Sequence, residues 1–192
     1  VTPARPAGVE TIMNSGKIII LAAALAILPL SMACAGGAGG LTWGQQFFDS
    51  RLSNYDFQGT WSGAYGYGVT HHGQRIGGFA MAVHSLAPNG ALDGGFAGLI
   101  TGQEMHAGPF LMAINLWTGL GGLSADPALP SGSSFALFGE LDLELGLGFI
   151  SWMEVTGYAG MQAITRVSGG RPLFSNVMYT PVLGMRVAWG SF

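Results

Sequence analysis

LFGELDLELGLGF, residues 137–149, holds the choice between two folds. Apolar side chains recur at Leu137, Leu141, Leu143, Leu145, Leu147 and Phe149, with Gly139 the one gap, and Glu140, Asp142 and Glu144 fall between them. A period of two marks a β-strand, whose successive side chains point to opposite faces. One face is therefore leucine and the other carboxylate. Leucines on a protein core with acids in water would make a soluble sandwich or barrel. Leucines toward lipid with acids turned inward would make a membrane barrel.

The charge content weighs on that choice. Charged residues are 9% of the chain, against about 25% in an ordinary soluble domain. After residue 35 there is no lysine, and five arginines (Arg51, Arg75, Arg166, Arg171, Arg186) face nine Asp and Glu, a formal charge of −4. A soluble barrel needs a charged outer surface, and little is present to build one. No basic patch exists for nucleic acid. Cys34 is the single cysteine, so internal disulfides and cysteine-based zinc or redox sites are excluded.

The N-terminal region reads as a leader. VTPARPAGVETI precedes Met13 and reads as an over-extended start. MNSGK, IIILAAALAILPL and SMACA then follow as a short basic stretch, an apolar core and a small-residue end. Ala33-Cys34-Ala35 fits the A-x-A cleavage pattern, and the apolar run is short for a membrane span. Residues 1–35 are expected to be a leader and cleaved secretory signal, with a retained anchor helix as the alternative. Lipid attachment at Cys34 usually wants a leucine three residues earlier, where Ser31 stands. Cleavage after Ala35 leaves 157 residues, one domain in size.

Past that point the patterning is all-β. GGAGG (36–40) reads as a flexible lead-in, with a short strand candidate at 41–48, so that 36–54 precedes a barrel over 55–192. Further strands are expected at 55–69, 76–86, 91–101, 108–118, across the opening stretch, at 149–165 and at 176–192, with a Gly-rich turn near 146–148 and a long loop over 119–134. THHGQR (70–75) and Pro88-Asn89-Gly90 read as turns. No long helical period follows the signal. The fold class is therefore all-β and antiparallel, an up-and-down barrel of about eight strands.

Most strands have a large apolar face and a face of Gly, Ala, Ser and Thr with a few acids, while 108–118 is nearly apolar throughout and its periodicity does not orient it. Placing the apolar faces in lipid leaves a narrow interior of small residues. Trp61, Tyr65, Tyr67, Trp117, Trp152, Tyr179 and Trp189 would then form interfacial girdles. Glu140, Asp142, Glu144 and Glu154 share an inward parity on adjacent strands, and Arg186 matches it on the last strand. Unpaired charges inside a barrel cost several kcal/mol, so these five are expected to form a lumen ion cluster.

Two stretches carry a resemblance. Leu183-Gly184-Met185-Arg186-Val187-Ala188-Trp189, with Phe192 closing the chain, resembles the last strand of small bacterial outer-membrane barrels, although Trp189 rather than Phe192 is in phase with the outward face. FQGTWSGAYGYG (57–68) resembles the first strand of the eight-stranded opacity/outer-membrane-protein-A type. The resemblance implies an outer-membrane location, outer-membrane lipid and the barrel-assembly machinery as partners, and a structural, adhesive or narrow-pore role. The rival is Gly59-Thr60-Trp61, the G-x-W of lipocalin-like calycin barrels, which are secreted or periplasmic and bind small apolar ligands.

Little points to catalysis. Two acids across a cleft serve glycosidases, but no sugar cleft is marked. His71 and His72 read as exposed turn histidines, and His84 and His106 lie elsewhere with no third ligand spaced to hold a metal. No G-x-S-x-G occurs, and the Gly-rich segments lack the lysine of a phosphate loop. No cofactor, metal or catalytic residue is expected.

Overall fold

The computed structural model describes residues 36–47, 58–87, 90–125, 133–169 and 177–191, which form eight strands. In chain order they are β1 (Gly36–Phe47), β2 (Gln58–Val69), β3 (Gln74–Ala87), β4 (Gly90–Ala107), β5 (Phe110–Ala125), β6 (Ser133–Ile150), β7 (Met153–Gly169) and β8 (Val177–Ser191). Each pairs antiparallel with its neighbour, and β1 pairs with β8, so the sheet closes on itself with no free edge. The expected all-β, eight-stranded, up-and-down barrel is the fold observed. The expected signal, Cys34 and Phe192 lie outside the described residues.

The paired residues give the stagger of the barrel. Crossing from Gly36 to Val69, Arg75, Gly102, Asn115, Asp142, Gly160 and Val182 returns to β1 at Gln46, ten residues beyond the start. Such a shear tilts the strands, and tilted strands must be long to cross the same height. This is why several elements outrun their sequence patterns. β5 continues through Gly119–Leu123, which reads as loop, and β6 runs on through Gly146–Gly148, which reads as turn. The β6–β7 connection is instead residues 151–152.

GGAGG is not a flexible lead-in. Its five glycine and alanine residues open β1, paired with Tyr65–Val69 on one side and, from Gly37 on, with β8 on the other. The reason is closeness rather than looseness: a Cβ on Gly37 would sit 2.9 Å from the Tyr67 carbonyl oxygen, and one on Gly40 would strike the Val187 carbonyl. Residues 36–40 thus belong to the barrel, and the aromatic-rich stretch that resembles a first strand is β2.

One end of the barrel carries the start of β1, the end of β8 and connections of four, two and two residues (70–73, 108–109, 151–152); we term it the turn end. Gly73 and Gly108 turn the chain there with positive φ. The loop end has connections of ten, two, seven and seven residues (48–57, 88–89, 126–132, 170–176), which lie outside the described residues.

Strands β5 to β8 and β1 turn large apolar side chains outward, including Leu116, Leu137, Leu141, Leu143, Leu145, Met161, Leu183, Met185 and Leu41. Strands β2 and β3 do the reverse. Trp61, Tyr65, Tyr67, Phe79, Met81 and Val83 are buried in the lumen, while Thr60, Ser62, Ala64, Ala82 and His84 face out. On β4, Phe96 and Ile100 are buried and Leu99 and Met105 are exposed. Trp117 is also internal, so of the expected girdle aromatics Trp152, Tyr179 and Trp189 are outside, and Trp61, Tyr65, Tyr67 and Trp117 are not. The cause is volume. Lumen glycines leave space for rings from facing strands: a Cβ on Gly44 would lie 2.8 Å from Trp61 Nε1, and one on Gly119 2.9 Å from Phe79 Cζ. Large and small inward residues thus alternate across the lumen, as a packed interior requires.

Candidate functional site

The lumen has two layers. Toward the loop end it is mainly apolar, with Trp61, Phe79, Phe96, Phe138, Leu123, Ile164 and Met178 in one cluster beside the buried Gln46 and Gln162. Phe79 and Phe96 both meet Phe138, with ring centroids 5.6 and 5.2 Å away. Toward the turn end it is ionic.

Arg186 on β8 is the centre of the ionic layer and is 1% exposed. Its Nη2 donates to Asp142 Oδ2 at 2.6 Å and its Nη1 to Asp142 Oδ1 at 3.2 Å, a two-pronged contact. Nη1 also donates to Glu144 Oε2 at 3.1 Å, and Nη2 to Glu140 Oε1 at 3.4 Å. The guanidinium plane is held between rings, with Cζ 3.9 Å from the centroid of Tyr158 and 4.5 Å from that of Trp117. Alternation places these groups: Glu140, Asp142 and Glu144 stand on every second residue of β6, and Arg186 reaches them from β8 across β7, where Gly160 pairs with Asp142 and Thr156 with Arg186.

Four of the five residues singled out from sequence therefore meet: Glu140, Asp142, Glu144 and Arg186. Glu154 does not join them. Its nearest ionisable neighbour of basic type among the described residues is His106, with Nδ1 3.8 Å from Glu154 Oε1. The sequence pattern also missed a second arginine. Arg75 Nε donates to Glu104 Oε2 at 2.6 Å, and Nη1 donates to Glu144 Oε2 at 2.7 Å and to Asn115 Oδ1 at 3.3 Å. Its Cζ stacks 4.4 Å from the centroid of Tyr67. Two expectations hide Arg75: it falls in the expected turn 70–75, and it shares its parity with Phe79, Met81 and Val83, an apolar face of the kind expected toward lipid. Had that face been turned inward, Arg75 and, on β4, Glu104 would have entered the cluster with it.

Neutral side chains complete the network. Asn115 Nδ2 donates to Asp142 Oδ1 and to Glu144 Oε2, both at 2.9 Å, and Thr156 Oγ1 donates to Glu144 Oε1 at 2.6 Å. Gln162 Nε2 donates to Glu140 Oε2, and Gln46 Nε2 to Gln162 Oε1, each at 2.5 Å. An unbroken chain thus runs from His106 at the turn end through Glu104, Arg75, Glu144, Arg186, Glu140 and Gln162 to Gln46. Arginine does not release its proton, so the chain is a set of ties and not a proton wire. His71 and His72 are exposed in the β2–β3 turn. Among the described residues no group of three or more His, Cys, Asp or Glu is placed to hold a metal ion.

A closed antiparallel barrel of eight meandering strands, filled by side chains, is the class this geometry defines. Among solved structures the chain is similar to Neisserial surface protein A (NspA), with a TM-score of 0.55 over 81% of this chain and 95% of that one, at 9% identity. At that identity the likeness concerns the fold. The β domain of the Bordetella autotransporter Brka aligns over 79% of this chain and 98% of that one at 12% identity, but its TM-score of 0.29 carries no weight. No protein-family model matches the chain, and no curated protein matches it significantly.

Proposed function

We propose that the chain is a small outer-membrane β-barrel with a structural or surface role, its lumen plugged by the carboxylate–arginine network and the aromatic layer above it. The observation that carries the reading is the orientation of β6. Leu141, Leu143 and Leu145 are 53%, 50% and 58% exposed, while Glu140, Asp142 and Glu144 between them are at most 3% exposed. In water this arrangement is inverted. Burying one such leucine contributes roughly 1.5–3 kcal/mol. The outward Phe135, Leu137, Leu141, Leu143, Leu145, Leu147 and Phe149 of this one strand would forgo an amount comparable to the whole stability of a domain, about 5–15 kcal/mol. Lipid removes that penalty.

The filled lumen argues against a narrow pore, and equally against the calycin-like alternative, which needs an apolar cavity inside and a polar wall outside. Turn-end connections are short and three of four loop-end connections are longer, matching the short-periplasmic, long-extracellular pattern. We therefore place the turn end in the periplasm and adhesive or other surface contacts, if made, at the loop end. The β8 strand, with Leu183, Met185 and Trp189 outward, suits recognition by the barrel-assembly machinery.

Cell fractionation with a heat-modifiability gel tests the reading. The protein is expected in the detergent-extracted envelope fraction, migrating faster unheated than boiled. Recovery in the aqueous periplasm or culture medium without detergent would overturn it. Reconstitution in planar bilayers is expected to give no steady channel conductance.

A further inference from the structure

Four lumen acids meet two guanidinium groups. Arg186 touches Glu140, Asp142 and Glu144, and Arg75 touches Glu144 and Glu104. All six side chains are at most 6% exposed, so bulk water does not make up the difference. A buried carboxylate is costly unless donors surround it, and an acid short of donors keeps its proton instead.

The donors are shared unevenly. Glu144 accepts from four: Arg75 Nη1, Arg186 Nη1, Asn115 Nδ2 and Thr156 Oγ1. Asp142 accepts from three, two in the Arg186 fork and one on Asn115. Glu140 accepts from two. One is the neutral amide of Gln162, on Oε2, and the other is Arg186 Nη2, which lies 3.4 Å from Oε1. The same Nη2 is only 2.6 Å from Asp142 Oδ2. The carboxyl groups of Glu140 and Asp142 thus converge on one nitrogen, within hydrogen-bond reach of each other.

The titratable and charged groups around Glu140 are Asp142 and Glu144 on its own strand, Tyr65 on β2, Tyr158 on β7 and Arg186 on β8. Arg75 on β3 and Glu104 on β4 lie beyond Glu144, tied to it and to each other. From β1 and β5 come Gln46 and Trp117, which carry no charge.

We propose that Glu140 keeps its proton in the folded barrel and donates it from Oε1 to the Asp142 carboxylate, so that the pair holds a single negative charge against the Arg186 fork. Two ionised carboxylates this close in a dry lumen repel each other. A carboxyl beside a carboxylate attracts it, because one donates and the other accepts. The retained proton is what lets Glu140, Asp142 and Glu144 stand on every second residue of one strand. The inference concerns the closed lumen and holds whatever surrounds the barrel.

Infrared spectra of the full chain, folded in detergent micelles in heavy water at about pH 7, test it, since an unperturbed glutamate titrates near pH 4.3, roughly, and is ionised there. A carboxylic C=O band is expected in the wild type, lost in Glu140→Gln and kept in Glu154→Gln. Urea midpoints give a second readout. The amide of Glu140→Gln can donate to Asp142 as the carboxyl does, so this variant should match the wild type, while Asp142→Asn should unfold at lower urea. An equal drop in both would make Glu140 an ionised partner of Arg186 and overturn the proposal, as would a band undiminished in Glu140→Gln. The wild-type spectrum is a check that needs no variant to fold: no carboxylic band at this pH overturns the proposal by itself.

Discussion

Arg75 Nη1 and Arg186 Nη1 donate to the same oxygen, Glu144 Oε2, at 2.7 and 3.1 Å. The two guanidinium groups come from β3 and β8, on opposite arcs of the barrel, and a carboxylate 3% exposed joins them. Arg186 is the residue whose loss leaves the most uncompensated charge, since Glu140 and Asp142 pair with no other arginine among the described residues, and Glu144 is the one carboxylate that joins both arginines. Removing one partner of a buried pair costs about 3–5 kcal/mol. Glu144→Leu and Arg186→Leu should each lower the unfolding free energy by about that much, read from urea titrations in micelles. Unchanged stability in Arg186→Leu would mean the ties carry no energy.

Sharing one oxygen makes the two arginines interdependent. The double variant Arg75→Leu, Arg186→Leu should cost less or more than the sum of the singles by about 0.5–3 kcal/mol. Strict additivity would show that Glu144 does not couple them.

Arg186→Lys keeps the charge but loses the fork toward Asp142 and the stacking between Tyr158 and Trp117. Its stability should fall between wild type and Arg186→Leu in the same titration.

The outward face of β6 is testable by charge. Leu143→Arg places a cation in the leucine-covered outer wall and, on the proposed membrane reading, should destabilise the barrel in lipid by about 2–4 kcal/mol near the bilayer midplane. Gly139→Leu is the contrasting change: a Cβ there meets nothing within 4 Å, so filling the gap in the leucine stripe should leave stability in lipid unchanged or raised. Folding yields in lipid vesicles compare the two.

The interlocking of the lumen predicts that one glycine is irreplaceable. Gly44→Val would drive a side chain against Trp61, the Tyr158 hydroxyl and the Leu183 carbonyl. Overpacking of this kind costs about 1–3 kcal/mol, more where backbone is struck. Trp61 fluorescence, now from a buried ring, should shift to the red in any variant that still folds.

The legible and illegible parts divide by strand. In β6 the alternation separates Glu140, Asp142 and Glu144 from Leu141, Leu143 and Leu145, and the barrel turns the acids into the lumen and the leucines outward. In β8, Arg186 is separated from Leu183 and Met185 in the same way. The all-β class, the antiparallel meander and four of the five cluster residues follow from those two strands. In β2 the alternation was equally clear but silent on direction. Trp61, Tyr65 and Tyr67 oppose Thr60, Ser62 and Ala64, and neither set is charged, so nothing in the strand penalises either orientation.

Closure of the ring supplied what was missing. Once β1 pairs with both β2 and β8, Gly44 stands opposite Trp61 and Gly184, and the space of these two glycines is filled from within by Trp61 and Tyr158. Turning β2 inward carries the parity on to β3, which brings Arg75 into the lumen beside Glu104 and Glu144. By itself the sequence determined which residues share a face, because the two-residue period of a strand is local. Where a face carries charge, the cost of leaving it unpaired inside a barrel named the partner, Arg186 for the β6 acids, once that face was taken to be the inner one. For the uncharged faces only the tertiary structure decided, since filling a closed lumen depends on volumes contributed by strands far apart in the chain.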